Sequence, residues 1–80
     1  MAPDELLNLA ERHAEQGRQR IERQRKVVEN LKLAGRDAKI AEDALAMFER
    51  LQVKLEDDHA RLLQSRKSLA AYQTRDPEEN

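Results

Sequence analysis

Along the first half of the chain, apolar and small residues recur in steps that alternate three and four without a break: Leu7, Ala10, Ala14, Gly17, Ile21, Gln24, Val28, Leu31. That period marks a helix lying against another helix, because residues seven apart return to one face of a gently wound pair. It constrains the fold more than composition does, since the stretch needs a helical partner and a strand cannot use it. A second repeat runs beside it and couples an acid to a base three residues on: Glu15 with Arg18, Glu22 with Arg25, Glu29 with Lys32.

Punctuation divides the chain in two. Pro3, Asp4 and Glu5 form a helix start, with proline tolerated in the first turn and acids favoured at the positive end of the dipole. Gly35 supplies a left-handed stop, and Asp37 is placed to accept backbone N–H bonds at the next start. The expected organisation is a helix over about 3–34, a turn over about 35–37 and a second helix over about 38–72. Asp76-Pro77 ends the second helix, because the residue before proline avoids helical geometry. The charged segment 74–80 is expected to be a disordered tail.

A turn this short makes the helices antiparallel neighbours. The apolar pattern predicts a seam on the second helix through Ala41, Ala44, Phe48, Leu51, Leu55, Asp58, Leu62, Ser65, Leu69 and Tyr72. Folding at Gly35 then pairs Val28 with Ala44, Gln24 with Phe48, Ile21 with Leu51 and Gly17 with Leu55. The fold class is thus all-α, an antiparallel two-helix coiled-coil hairpin. In that register Arg20 lies near Lys54 and Arg25 near Leu45, so the Glu-x-x-basic stripe reads as a solvated face held by weak pairs within its own helix.

An 80-residue chain has trouble burying enough apolar surface to offset the entropy of ordering it. Apolar side chains also stand outside the seam. Leu6, Leu9, Val27, Ile40 and Met47 gather on one flank, the side opposite the Glu-x-x-basic stripe. This flank is the candidate self-association surface, and its use by two copies gives a homodimeric four-helix bundle.

Chemistry is sparse. Without cysteine there is no disulfide, thiolate or cysteine zinc site, and two glycines leave no phosphate-cradling loop. The few Ser and Thr residues lack a base-and-orienter arrangement, so no catalytic residue or cofactor site is expected and the protein reads as a non-enzyme. No apolar run reaches the length of a signal core or a membrane span, which points to a cytoplasmic protein with no membrane partner. Two other readings have specific residues behind them. Glu56 and His59 form a Glu-x-x-His pair that resembles the ligands of di-iron bundles if a second copy and Glu11 or Glu15 join it. Arg18, Arg20, Arg23, Arg25 and Lys26 form a basic cluster suited to phosphates, but the net charge of -1, the interleaved Glu15, Glu22 and Glu29 and the lack of nearby aromatics argue against nucleic acid.

Ala10-Glu11-Arg12-His13, Gly17, Arg20-Ile21, Gln24-Arg25, Leu31, Gly35, Asp37, Leu45 and Phe48-Glu49 together resemble a group of short helical proteins of alphaproteobacteria. The resemblance implies a bacterial helical hairpin and carries no activity. What remains is an interaction or adaptor module whose protein partner is open.

Overall fold

The computed structural model describes residues 3–73, with side chains from 4 to 71. It contains two helices, α1 (Pro3–Leu33) and α2 (Lys39–Gln73), and no strand among the described residues. Their lengths of 31 and 35 residues correspond to about 46 and 52 Å at 1.5 Å per residue. The expected tail, 74–80, lies outside the described residues.

The turn follows from its residues. Gly35 has φ 70°, and its N–H donates to the Lys32 carbonyl at 3.0 Å while the N–H of Arg36 donates to that of Leu31 at 2.8 Å. This pair of bonds is a Schellman motif, which satisfies carbonyls that the end of α1 would otherwise leave free. Asp37 Oδ1 accepts the Lys39 N–H at 2.9 Å, and Glu42 N–H donates to the Ala38 carbonyl at 2.8 Å as the first bond of α2.

Ion pairs show the antiparallel course: Lys32 meets Glu42 beside the turn, and Arg66 meets Asp4 at the open end. The buried core is the heptad row of α1, Leu7, Ala14, Ile21 and Val28, closed at the turn by Ala38. No large side chain is fully buried among the described residues, because a layer of two helices always leaves an edge open to water.

The α2 seam follows the expected one in part: Ala41, Ala44, Phe48, Leu55, Asp58 and Leu62 are half-buried, and the side chain of Tyr72 lies outside the described residues. Leu51 is 42% exposed and Ser65 is exposed, whereas Ala38, Leu45, Gln52 and His59 join Ala41, Phe48, Leu55 and Leu62 on the inward side. At Gly17 the expected neighbour is present and a second one joins it: a Cβ built there would meet the Gln52 carboxamide first and Leu55 Cδ1 next, at 3.2 Å. Two glutamines hold this arrangement. Gln52 Nε2 donates to the Ala14 carbonyl at 2.8 Å, and Gln24 Nε2 donates to the Ala41 carbonyl at 2.9 Å, one bridge from each helix to the backbone of the other.

Candidate functional site

The bases of the Glu-x-x-basic stripe stand against a matching row of acids on α2. Arg18 pairs with Glu56 at 2.9 Å, Arg25 with Glu49 at 3.7 Å and Lys32 with Glu42 at 3.5 Å. These residues step by seven along both helices, so the pairs form a ladder on one edge of the hairpin. The expected pairs within α1 are present at Glu15–Arg18 and Glu22–Arg25, and the face is solvated, but the neighbours across the helices differ: Arg25 reaches Glu49 and not Leu45, and Arg20 lies over the Phe48 ring at 5.7 Å from its centroid and not beside Lys54. The signal was Glu42, Glu49 and Glu56, a heptad row of acids in α2 that mirrors the bases of α1.

Arg18 has the tightest geometry of the ladder. Its Nη2 and Nε fork onto the two oxygens of Glu56 at 2.9 and 3.4 Å, while Nη1 meets Glu15 at 2.5 Å. The hydrogen bonds to Glu56 and then to Glu15 push its guanidinium pKa upward. Glu56 also accepts from Gln52 Nε2 at 3.2 Å. It is therefore occupied by an arginine and an amide, while His59 sits half-buried three residues on. Among the described residues, no group of three or more His, Cys, Asp or Glu stands close enough together to hold a metal ion.

The basic cluster divides. Arg18 and Arg25 belong to the ladder, Arg20 lies on Phe48 on the other side, and Arg23 and Lys26 are exposed with no carboxylate partner among the described residues.

The opposite edge is the apolar flank. Leu6, His13, Arg20 and Val27 are one heptad row of α1, and Ile40, Met47, Lys54 and Arg61 are one of α2. At the open end these rows converge on a groove of about 380 Å³, lined by Leu6, Leu9, His13, Leu55, Asp58 and Leu62 among others. Toward the turn, Val27, Met47 and Ile40 are 45%, 59% and 86% exposed. Leu51, which the expected seam placed inside, joins them outside. Leu6 and Leu9 thus share a groove, while Val27, Ile40 and Met47 form a separate patch farther along the same side.

No helix among the described residues is long and apolar enough to cross a membrane. Compared with protein-family models, curated proteins and solved structures, the chain matches none. Its surfaces therefore have to speak for themselves: an all-α helical hairpin with one ion-paired edge and one apolar flank.

Proposed function

We propose that this protein is a non-enzymatic, cytoplasmic interaction module, a coiled-coil hairpin that self-associates through the flank carrying Leu6, Leu9, Val27, Ile40 and Met47. The observation that carries this reading is the exposure of Ile40 and Met47 in the heptad row that also holds Lys54 and Arg61, on a hairpin whose α2 has no fully buried side chain among the described residues. Apolar side chains scattered singly need no explanation, but a row of them on one edge does. A second hairpin laid against the flank puts four helices side by side and gives the seam the cover that two helices lack. A homodimer is the smallest assembly that achieves this.

The rival readings lose residues to the fold. A metal site loses Glu56 to Arg18 and Gln52, and a phosphate-binding cluster loses Arg18 and Arg25 to the ladder. The test is mass by light scattering at high micromolar concentration. A multiple of 9.3 kDa is expected, and a monomer would remove the proposal.

A further inference from the structure

The net charge of -1 hides a separation of charge across the hairpin. Along the three rungs of the ladder edge stand six carboxylates, Glu15, Glu22, Glu29, Glu42, Glu49 and Glu56, against three cations, Arg18, Arg25 and Lys32. On the flank, the four cations Arg20, Arg23, Lys54 and Arg61 stand against two carboxylates, Asp58, paired with Lys54 at 3.6 Å, and Asp57, paired with Arg61 at 2.7 Å, which leaves Arg20 and Arg23 as its uncompensated charges. One edge is acidic, the other basic, and both carry exposed apolar groups. The acidic edge holds its own groove of about 510 Å³, with Ile21 and Val53 between Glu49 and Glu56, and Val53 is 72% exposed.

We propose that copies of this hairpin associate side by side, the basic apolar flank of one against the acidic ladder edge of the next, so that assembly does not close at two. This rests on the self-association reading and names the surface that covers the flank. A two-fold contact presents the same patch on both copies, which here would set one basic flank against another. Like charges across an interface are unfavourable, and opposite ones both attract and fix the register. The heights agree as well. Arg20 lies over Phe48, the neighbour of Glu49, and Lys54 stands next to Val53 and within one turn of Glu56. A copy displaced sideways without sliding therefore sets Arg20 opposite Glu49 and Lys54 near Glu56, while Met47 and Leu51 meet the exposed Val53. Because the contact is heterologous, each copy keeps one free flank and one free edge.

Sedimentation velocity tests this on the full chain. The weight-average mass is expected to keep rising with concentration, and to fall between about 0.01 M and about 1 M salt as the Debye length shrinks from ~30 to ~3 Å. Glu15→Lys, Glu22→Lys and Glu29→Lys together change only the ladder edge and are expected to abolish association. Arg20→Glu, Arg23→Glu and Lys54→Glu together do the same from the flank, and an equimolar mixture of the two variants restores it. Circular dichroism confirms that each variant remains helical. A mass that stops at a dimer, strengthens with salt and survives the three lysines would overturn the heterologous contact while leaving self-association intact. A wild-type monomer at every concentration overturns both, and if that monomer binds polyglutamate the flank serves a foreign acidic chain instead.

Discussion

Gly17 lies directly under the side chain of Gln52. A Cβ at position 17 would collide with Gln52 Oε1, and Leu55 Cδ1 stands 3.2 Å away behind it. That oxygen is buried without a hydrogen-bond partner, and it rests against the glycine hydrogens in the manner of a Cα–H···O contact. The absence of a side chain at 17 is therefore what lets Gln52 cross to the Ala14 carbonyl. Two effects oppose each other in Gly17→Ala. Alanine stabilises a helix interior by about 1 kcal/mol over glycine, and displacing Gln52 forfeits a hydrogen bond of about 1 kcal/mol. The net change should be near zero. In a Gln52→Ala background the collision with Oε1 is gone and only Leu55 Cδ1 has to give by a few tenths of an ångström, so the same substitution should raise Tm, by up to roughly 4–8 °C. Equal shifts in both backgrounds would disprove the coupling. Gly17→Leu also runs into Leu55 and should cost about 1–3 kcal/mol.

The ladder predicts a charge-swap result. Arg25→Glu places a third carboxylate beside Glu22 and Glu49 and should lower Tm. Adding Glu49→Arg should restore most of the loss, with a coupling of about 0.2–1 kcal/mol because both side chains are exposed and screened. Thermal melts of the four species in low salt measure this, and the coupling should fade at about 1 M salt. Additive single effects would mean that the ladder contributes nothing to stability.

The seam is legible in α1 and only partly so in α2. In α1 the seam residues Leu7, Ala14, Ile21 and Val28 are apolar or small, so periodicity and burial coincide and the row is legible. In α2 the inward row includes Gln52 and His59, whose polarity argues for the surface. Leu51 is apolar and adjacent, and hydropathy selects it instead. What moves Gln52 inward is a hydrogen bond to a backbone carbonyl on the other helix, together with a glycine that leaves room for it, and neither belongs to a one-helix pattern. Arg25 reaches Glu49 and not Leu45, a pairing between the helices that the repeat within either one does not show. Gly35 and Asp37 act through their own backbone neighbourhood and could be read in place. The flank residues are likewise set by spacing within each helix, although their division into an end groove and a separate patch depends on the register.

Gly35 should tolerate substitution poorly for a purely conformational reason. A Cβ there would meet no atom within 4 Å, yet its φ of 70° is strained for any side chain. Gly35→Ala is expected to cost roughly 1–2 kcal/mol in urea titrations, and Gly35→Asn less, since asparagine adopts the left-handed conformation more readily. If alanine proves neutral, the Schellman geometry does not limit stability.

Alkaline pH should act at the start of α2. Asp43 raises the pKa of Lys39, chiefly through the 2.9 Å hydrogen bond to its ammonium. A folded pKa above the unfolded one means that the contribution is complete below the ordinary lysine range and is lost as pH climbs through the folded value. The effect is small because the pair is largely exposed. Between about pH 9 and about pH 12, wild-type Tm should fall further than that of Lys39→Arg, which stays charged. Parallel curves for the two proteins would exclude a role for this pair.

Association must also appear in the melting temperature. Anything that binds the folded chain and not the unfolded one stabilises it by mass action, so Tm should rise with protein concentration. Ile40 and Met47 are 86% and 59% exposed in the single hairpin, so Ile40→Ser with Met47→Ser removes little that supports the monomer. The double variant should therefore melt like wild type when dilute and lose the concentration dependence. Two alternatives give different curves. If the two side chains instead stabilise the hairpin itself, Tm falls equally at every concentration. If they touch nothing in either state, the wild-type slope persists, and the flank toward the turn is then no part of the interface.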